Sequence, residues 1–168
     1  MIGLYVLTLA VPAKRDRCLL LMCPEEDLTR QDSCRMVPIQ VTMTEGANLG
    51  IAIESSHLEE ATTHELFMNA LTNLDTTILK TEIVALEEGH FRTRLYLRCG
   101  ERVVDMDASL SDAVSLAIRQ NASIFIDEQV FEEVMVPYSR EDDEELNEIE
   151  SFRGFLQNLQ PEDFIRAA

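Results

Sequence analysis

Two aspartates, Asp107 and Asp112, stand where an alternating stretch of the chain hands over to a helical one. In Val103–Asp107, Val104 and Met106 face one way and Val103, Asp105 and Asp107 the other, the two-residue period of a pleated strand. Ser109 precedes Asp112 at the spacing of a capping box, with the acid in the first turn, where the helix dipole favours negative charge. Leu110, Ala113, Val114, Ala117 and Ile118 then recur at helical spacing. Gln120-Asn121 closes that helix, and Ser123-Ile-Phe-Ile126 reads as a short buried strand. Both carboxylates thus come to a strand-to-helix corner, where backbone N–H groups and charge converge and ligands or metal ions are held. Upstream, Thr62-Thr-His-Glu65 spells another capping box and puts His64 and Glu65 in a second first turn. The His64 ring there faces either solvent or the corner of Asp107. Read as structure alone, Asp112, Thr62 and Glu65 only cap helices, Asp107 bonds the turn that follows it, and His64 is a surface histidine.

The elements that must position these residues follow from pattern. Ile2–Val11 and Arg17–Cys23 read as strands around a Pro12–Asp16 turn, and Pro24–Asp32 as a polar loop. Ser33–Thr42 is a third strand, with Met36, Pro38 and Gln40 on one face and Val37, Ile39 and Val41 on the other; Pro38 marks a sheet edge or a strand start. A helix is predicted over Glu45–Ser55 with Leu49, Ala52 and Ile53 inward, then a loop carrying His57. The helix capped by Thr62 runs to Leu74, its apolar stripe being Leu66, Phe67, Ala70, Leu71 and Leu74. Thr76–Leu86 and Phe91–Arg98 form a hairpin about Glu87–His90, and Cys99-Gly100 leads into the strand of Asp107, completing an antiparallel meander. Arg92, Arg94 and Arg98 share one side of their strand with Tyr96, a solvated face first and a phosphate contact second. The fold class is α+β: antiparallel strands in two β-rich groups, each followed by helices, over residues 1–136. Residues 137–168 add an acidic linker and an amphipathic C-terminal helix striped by Leu146, Ile149, Phe152, Phe155, Leu156 and Leu159. That stripe needs cover, from its own domain or from a partner, and a homodimer or higher homo-oligomer is expected.

Composition narrows the function. The chain carries 31 acidic against 14 basic side chains, a formal charge of −17, and the C-terminal segment accounts for only part of the excess. Nucleic-acid affinity rests mainly on cations that neutralise phosphates, so this balance disfavours a nucleic-acid partner unless metal ions supply the charge. No apolar stretch approaches membrane-spanning length, and the basic residues Lys14, Arg15 and Arg17 follow the apolar N-terminal run instead of preceding it, which argues against a secretory leader. Cys18, Cys23, Cys34 and Cys99 form no C-x-x-C pair, so a zinc site is not indicated and four reduced thiols in a cytoplasmic protein are expected. There is no nucleophile elbow, P-loop or G-x-G-x-x-G.

The motifs carry a resemblance. Asp105-x-Asp107-Ala-x-x-Ser111-Asp112-Ala113, an apolar helix and Ser123-Ile-Phe-Ile126 are similar to the signature of the bifunctional nuclease domain family. So are Val37-Pro38-Ile39 followed by Glu45-Gly46, where the family has Glu-Ala, and the helix start Thr63-His64-Glu65. Order and spacing match over roughly residues 1 to 135, and Phe152-Arg-x-Phe155-Leu156 with Pro161-Glu-Asp-Phe164 resembles the tail of some bacterial members. The resemblance implies a metal-dependent nuclease acting on DNA and RNA. Asp107 and Asp112 would hold Mg²⁺ or Mn²⁺ with Glu65 as a third oxygen ligand, His64 would act as general base or proton donor, and Ser111 would bond a non-bridging phosphate oxygen. The family also has Arg-Pro just before its Thr-His and Ser-Asp motifs, where this chain has Glu60-Ala61 and Ser109-Leu110. Loss of those bidentate phosphate contacts leaves an alternative: a non-catalytic regulatory or interaction protein on the same scaffold.

Overall fold

Cys18 to Cys23 are buried one after another, with Leu20, Leu21 and Met22 wholly inaccessible, too continuous a run for a strand with one wet face. The computed structural model, which describes residues 1–11, 17–30, 33–55 and 61–139, places this run well inside a sheet. It forms β2 (Arg17–Pro24), antiparallel to β1 (Ile2–Ala10) on one side and β3 (Ser33–Thr42) on the other. Two helices follow, α1 (Met43–Ile53) and α2 (Thr63–Asn73). Then comes the meander β4 (Thr76–Glu87), β5 (His90–Cys99) and β6 (Arg102–Ala108). Glu88 and Gly89 both take positive φ, 51° and 77°, the two-residue turn whose twist suits a hairpin.

From β6 the chain enters α3 (Leu110–Gln120), crosses the sheet, and returns as β7 (Ser123–Ile126). β7 lies parallel to β4 and antiparallel to β1, so it welds the two expected strand groups into one eight-stranded sheet, ordered β6-β5-β4-β7-β1-β2-β3-β8. After α4 (Glu128–Val134), β8 (Val136–Ser139) pairs with the start of β3 at the far edge. The α+β class forms as expected. The sheet continues to Ser139, with Pro137 on an edge strand, where proline is tolerated. Pro38 obeys the same rule: β8 pairs with β3 only as far as Met36, so one side of β3 is open at Pro38.

One core joins Leu20, Met22, Val37 and Ile126 of the sheet to Leu49 of α1, Val114 of α3 and Phe131 of α4. A smaller one joins Leu71 of α2 and Leu116 of α3 to Ile78, Leu95 and Leu97. α3 serves both cores and is buried continuously from Ala113 to Ala117, which fixes the direction of its first turn. Asp27 anchors a 3-10 turn (Glu25–Asp27) to β3: it is 2% exposed and accepts from the backbone N, Nε and Nη2 of Arg35. Those Arg35 bonds outweigh burial and hold its carboxyl below the ordinary aspartate range.

Some expectations are corrected. α1 starts at Met43, two residues early, because Thr42 caps it. In α2, Phe67 and Met68 pack on the smaller core while Leu66 and Leu74 stay exposed, so the buried stripe is rotated and narrower than five residues. The Pro12–Asp16 turn, His57, the acidic linker and the amphipathic C-terminal helix lie outside the described residues. Among the described residues no helix is long and apolar enough to cross a membrane.

Candidate active site where three helix starts meet

Each of the three longer helices opens on a hydroxyl cap. Thr42 Oγ1 accepts from Glu45 N at 3.3 Å, and Glu45 Oε2 takes the backbone N–H and the hydroxyl of Thr42, each at 2.7 Å. Thr62 and Glu65 repeat the reciprocal box for α2, at 3.3 and 2.7 Å. At α3, Ser109 Oγ accepts from Asp112 N at 3.1 Å and donates to Asp112 Oδ2 at 2.6 Å. A cap of this kind stabilises a helix by about 1 kcal/mol.

The caps do more than start helices, because side chains of the three first turns bond to one another. Ser111 Oγ donates to Glu45 Oε1 at 2.9 Å, tying α3 to α1. His64 Nε2 lies 3.0 Å from Asp112 Oδ1, tying α2 to α3. Ser109 Oγ and Ser111 Oγ are 3.3 Å apart. A continuous polar line therefore runs Thr42–Glu45–Ser111–Ser109–Asp112–His64. Ser111 and His64 are buried, at 5% and 8% exposure, whereas the Asp112 side chain is 56% exposed and opens the line to solvent. Burial alone would push the Glu45 carboxyl up, but the Thr42 hydroxyl and amide and the Ser111 hydroxyl outweigh it and hold the group below the ordinary glutamate range. Glu45 is thus a carboxylate at neutral pH.

Each of the three helix starts carries the equivalent of about half a positive charge on its first-turn N–H groups, answered by a first-turn carboxylate: Glu45, Glu65 and Asp112. The N–H groups that the caps leave over are donors of the kind that holds a phosphate.

Of the five residues singled out from sequence, His64, Ser111 and Asp112 are in this line. Asp107 is not. It lies in β6 opposite Arg94, one residue before the strand's end, its side chain 91% exposed and 3.8 Å from the Arg94 guanidinium. Glu65 is drawn back to Thr62 N by its own capping box and lies 3.8 Å from Arg119 Nη1. Among the described residues no three His, Cys, Asp or Glu side chains form a group able to hold a metal ion. Asp107, Asp112 and Glu65 are therefore not assembled as one ligand set. Sequence reasoning missed Glu45 as a site member. Its signal was present, since Thr42-Met-Thr-Glu45 has the same capping-box spelling as Thr62-Thr-His-Glu65.

Comparison with known proteins places the whole line inside one family's domain. A model described as the bifunctional nuclease domain matches residues 28–139. Two uncharacterized Mycobacterium tuberculosis proteins, MT1877 and Rv1829, are each 28% identical over 136 residues, which is 77% of this chain and 81% of theirs.

Proposed function

Because the chain belongs to the bifunctional nuclease domain family, we propose that it hydrolyses phosphodiester bonds of DNA and RNA at the meeting of its three helix starts. The observation that carries this reading is the His64–Asp112 pair, 3.0 Å across, a buried imidazole on a solvent-facing carboxylate set among the first turns of α1, α2 and α3. Asp112 accepts from Nε2 of His64, which fixes the tautomer and leaves Nδ1 as the basic nitrogen. His64 then takes a proton from the attacking water at Nδ1 and returns one to the leaving oxygen. Ser111 donates its hydrogen bond to Glu45, so the non-bridging oxygens fall to first-turn backbone N–H groups that the caps do not use.

The three carboxylates expected to share a divalent cation do not share one place. Mg²⁺ or Mn²⁺ would meet only Asp112 of the three, the solvent-facing carboxylate, and would supply positive charge to the phosphate.

The test is cleavage of single-stranded DNA, duplex DNA and RNA in Mg²⁺, Mn²⁺ or EDTA, with wild type beside identically prepared variants. His64→Ala and Asp112→Asn are expected to lose at least about 100-fold in rate, and Asp107→Asn less than tenfold. Equal rates in wild type and His64→Ala, or no cleavage by wild type, would sink the proposal. The latter outcome favours an interaction protein on the same scaffold, the reading to which the charge of −17 and the absent motif arginines point.

A further inference from the structure

The β4–β5 hairpin runs past the end of β6. β6 stops at Ala108, opposite Thr93, and the chain turns into α3, while Arg92, Phe91 and His90 continue paired only to Ala85, Leu86 and Glu87. Between this projecting hairpin and the Asp107–Ser109 turn lies an open cleft of about 980 Å³. Arg92 and Arg94 line it from β5, Glu87 and Glu88 from the tip of the hairpin, and Asp107 and Ser109 from the other side. Ser109 is also a member of the polar line, bonded directly to Asp112, so the cleft leads to the candidate catalytic pair.

The cations of this cleft come from β5, remote in sequence from the positions where the family motifs carry arginine. The side chains of Arg92 and Arg94 are 65% and 44% exposed. Arg92 gives its Nε to Glu87 at 2.7 Å, and Arg94 is held by Asp105, with Asp107 further off. Exposed pairs of this kind are weak. They hold each guanidinium over the cleft yet let it exchange a carboxylate for the bidentate grip of a phosphate.

We propose that the cleft seats the substrate strand, a single-stranded nucleic acid whose phosphates rest on Arg92 and Arg94 and whose next phosphodiester passes Ser109 to His64. The inference rests on the phosphodiester reading for its choice of ligand. Charge selects a single strand: a duplex brings two phosphate backbones towards a chain of net charge −17, a single strand only one.

Fluorescence anisotropy with labelled single-stranded 12-mers of DNA and RNA, and the matching duplex, in EDTA, tests this without cleavage. Wild type is expected to bind the single strands at least tenfold more tightly than the duplex. Arg92→Ala/Arg94→Ala is expected to weaken strand binding at least tenfold and to flatten the salt dependence by about 1.4 in log–log slope, two phosphates at about 0.7 each. Arg92→Lys/Arg94→Lys keeps the slope, and Arg98→Ala, on the same strand but outside the cleft lining, binds like wild type. A double alanine variant that binds like wild type, equal duplex binding, or no strand binding by wild type would overturn the inference. Cleavage that persists in the double alanine variant at wild-type strand affinity sinks the cleft and spares the phosphodiester reading. Arginine-dependent binding without cleavage by wild type in Mg²⁺ or Mn²⁺ does the reverse.

Discussion

Glu45 stands in a motif of the resemblance without a chemical role assigned to it, yet it accepts three hydrogen bonds and joins two helices. Its contribution to stability has a definite pH sign. The folded carboxyl lies below its ordinary value of about 4.3. The stabilisation is therefore fully present above the unfolded value and is lost as pH falls through the lower folded one. Glu45→Gln is expected to lower the melting temperature at pH 7, and thermal melts should show the gap to wild type closing as pH falls below about 4. Parallel curves down to pH 3 would mean that Glu45 is not held as a carboxylate. Individual residues were legible here where a cap spelled them. Asp112 could be placed in a first turn from Ser109, but its partner His64 lies 48 residues away, and no local pattern encodes a contact between two helix starts.

Between elements, the fit of α1 against β2 depends on an atom that is absent. A Cβ added to Gly46 would stand 2.5 Å from Cys18 Sγ and 2.9 Å from Cys18 Cβ, closer than real Cβ atoms approach. Gly46→Ala is expected to destabilise by about 1–3 kcal/mol, the usual cost of overpacking, and Cys18→Ala in the same chain to recover part of it. Urea unfolding of the four members of that cycle measures the coupling, and additive effects would refute the contact. Strands and helices with clear periods were read well: β5 keeps Thr93, Leu95 and Leu97 buried and its three arginines exposed. α2 was read less well, because a stripe of apolar residues states which face can be buried and not how much of it the neighbours reach. Leu66 and Leu74 remain outside that reach.

For the whole molecule, neighbour order was the hidden part. The two strand groups were visible in sequence, but their union depends on the parallel pairing of β4 with β7, a non-local choice made by packing against α3. Among the described residues, the same order leaves β6 paired only with β5 at the end of the sheet. Val103, Val104 and Met106 are exposed there, at 56%, 40% and 40%. A free edge with apolar side chains invites another strand, and a two-fold partner of the same chain supplies one in matching register. We propose that the expected homo-oligomer forms through this edge. Light scattering should give a dimer for wild type and a monomer for Val104→Lys/Met106→Lys with an unchanged circular dichroism spectrum. A dimer in both, or a monomer in both, would place the β6 edge outside any assembly.

The line from Glu45 to Asp112 holds three oxygen-to-oxygen contacts but only two hydroxyl hydrogens. Ser111 spends its hydrogen on Glu45 and Ser109 on Asp112, so the 3.3 Å contact between the two serines brings lone pair against lone pair. Ser109 Oγ meets its donor instead in the backbone N–H of Asp112. The two serines are thus set side by side by the carboxylates they serve and not by a bond of their own.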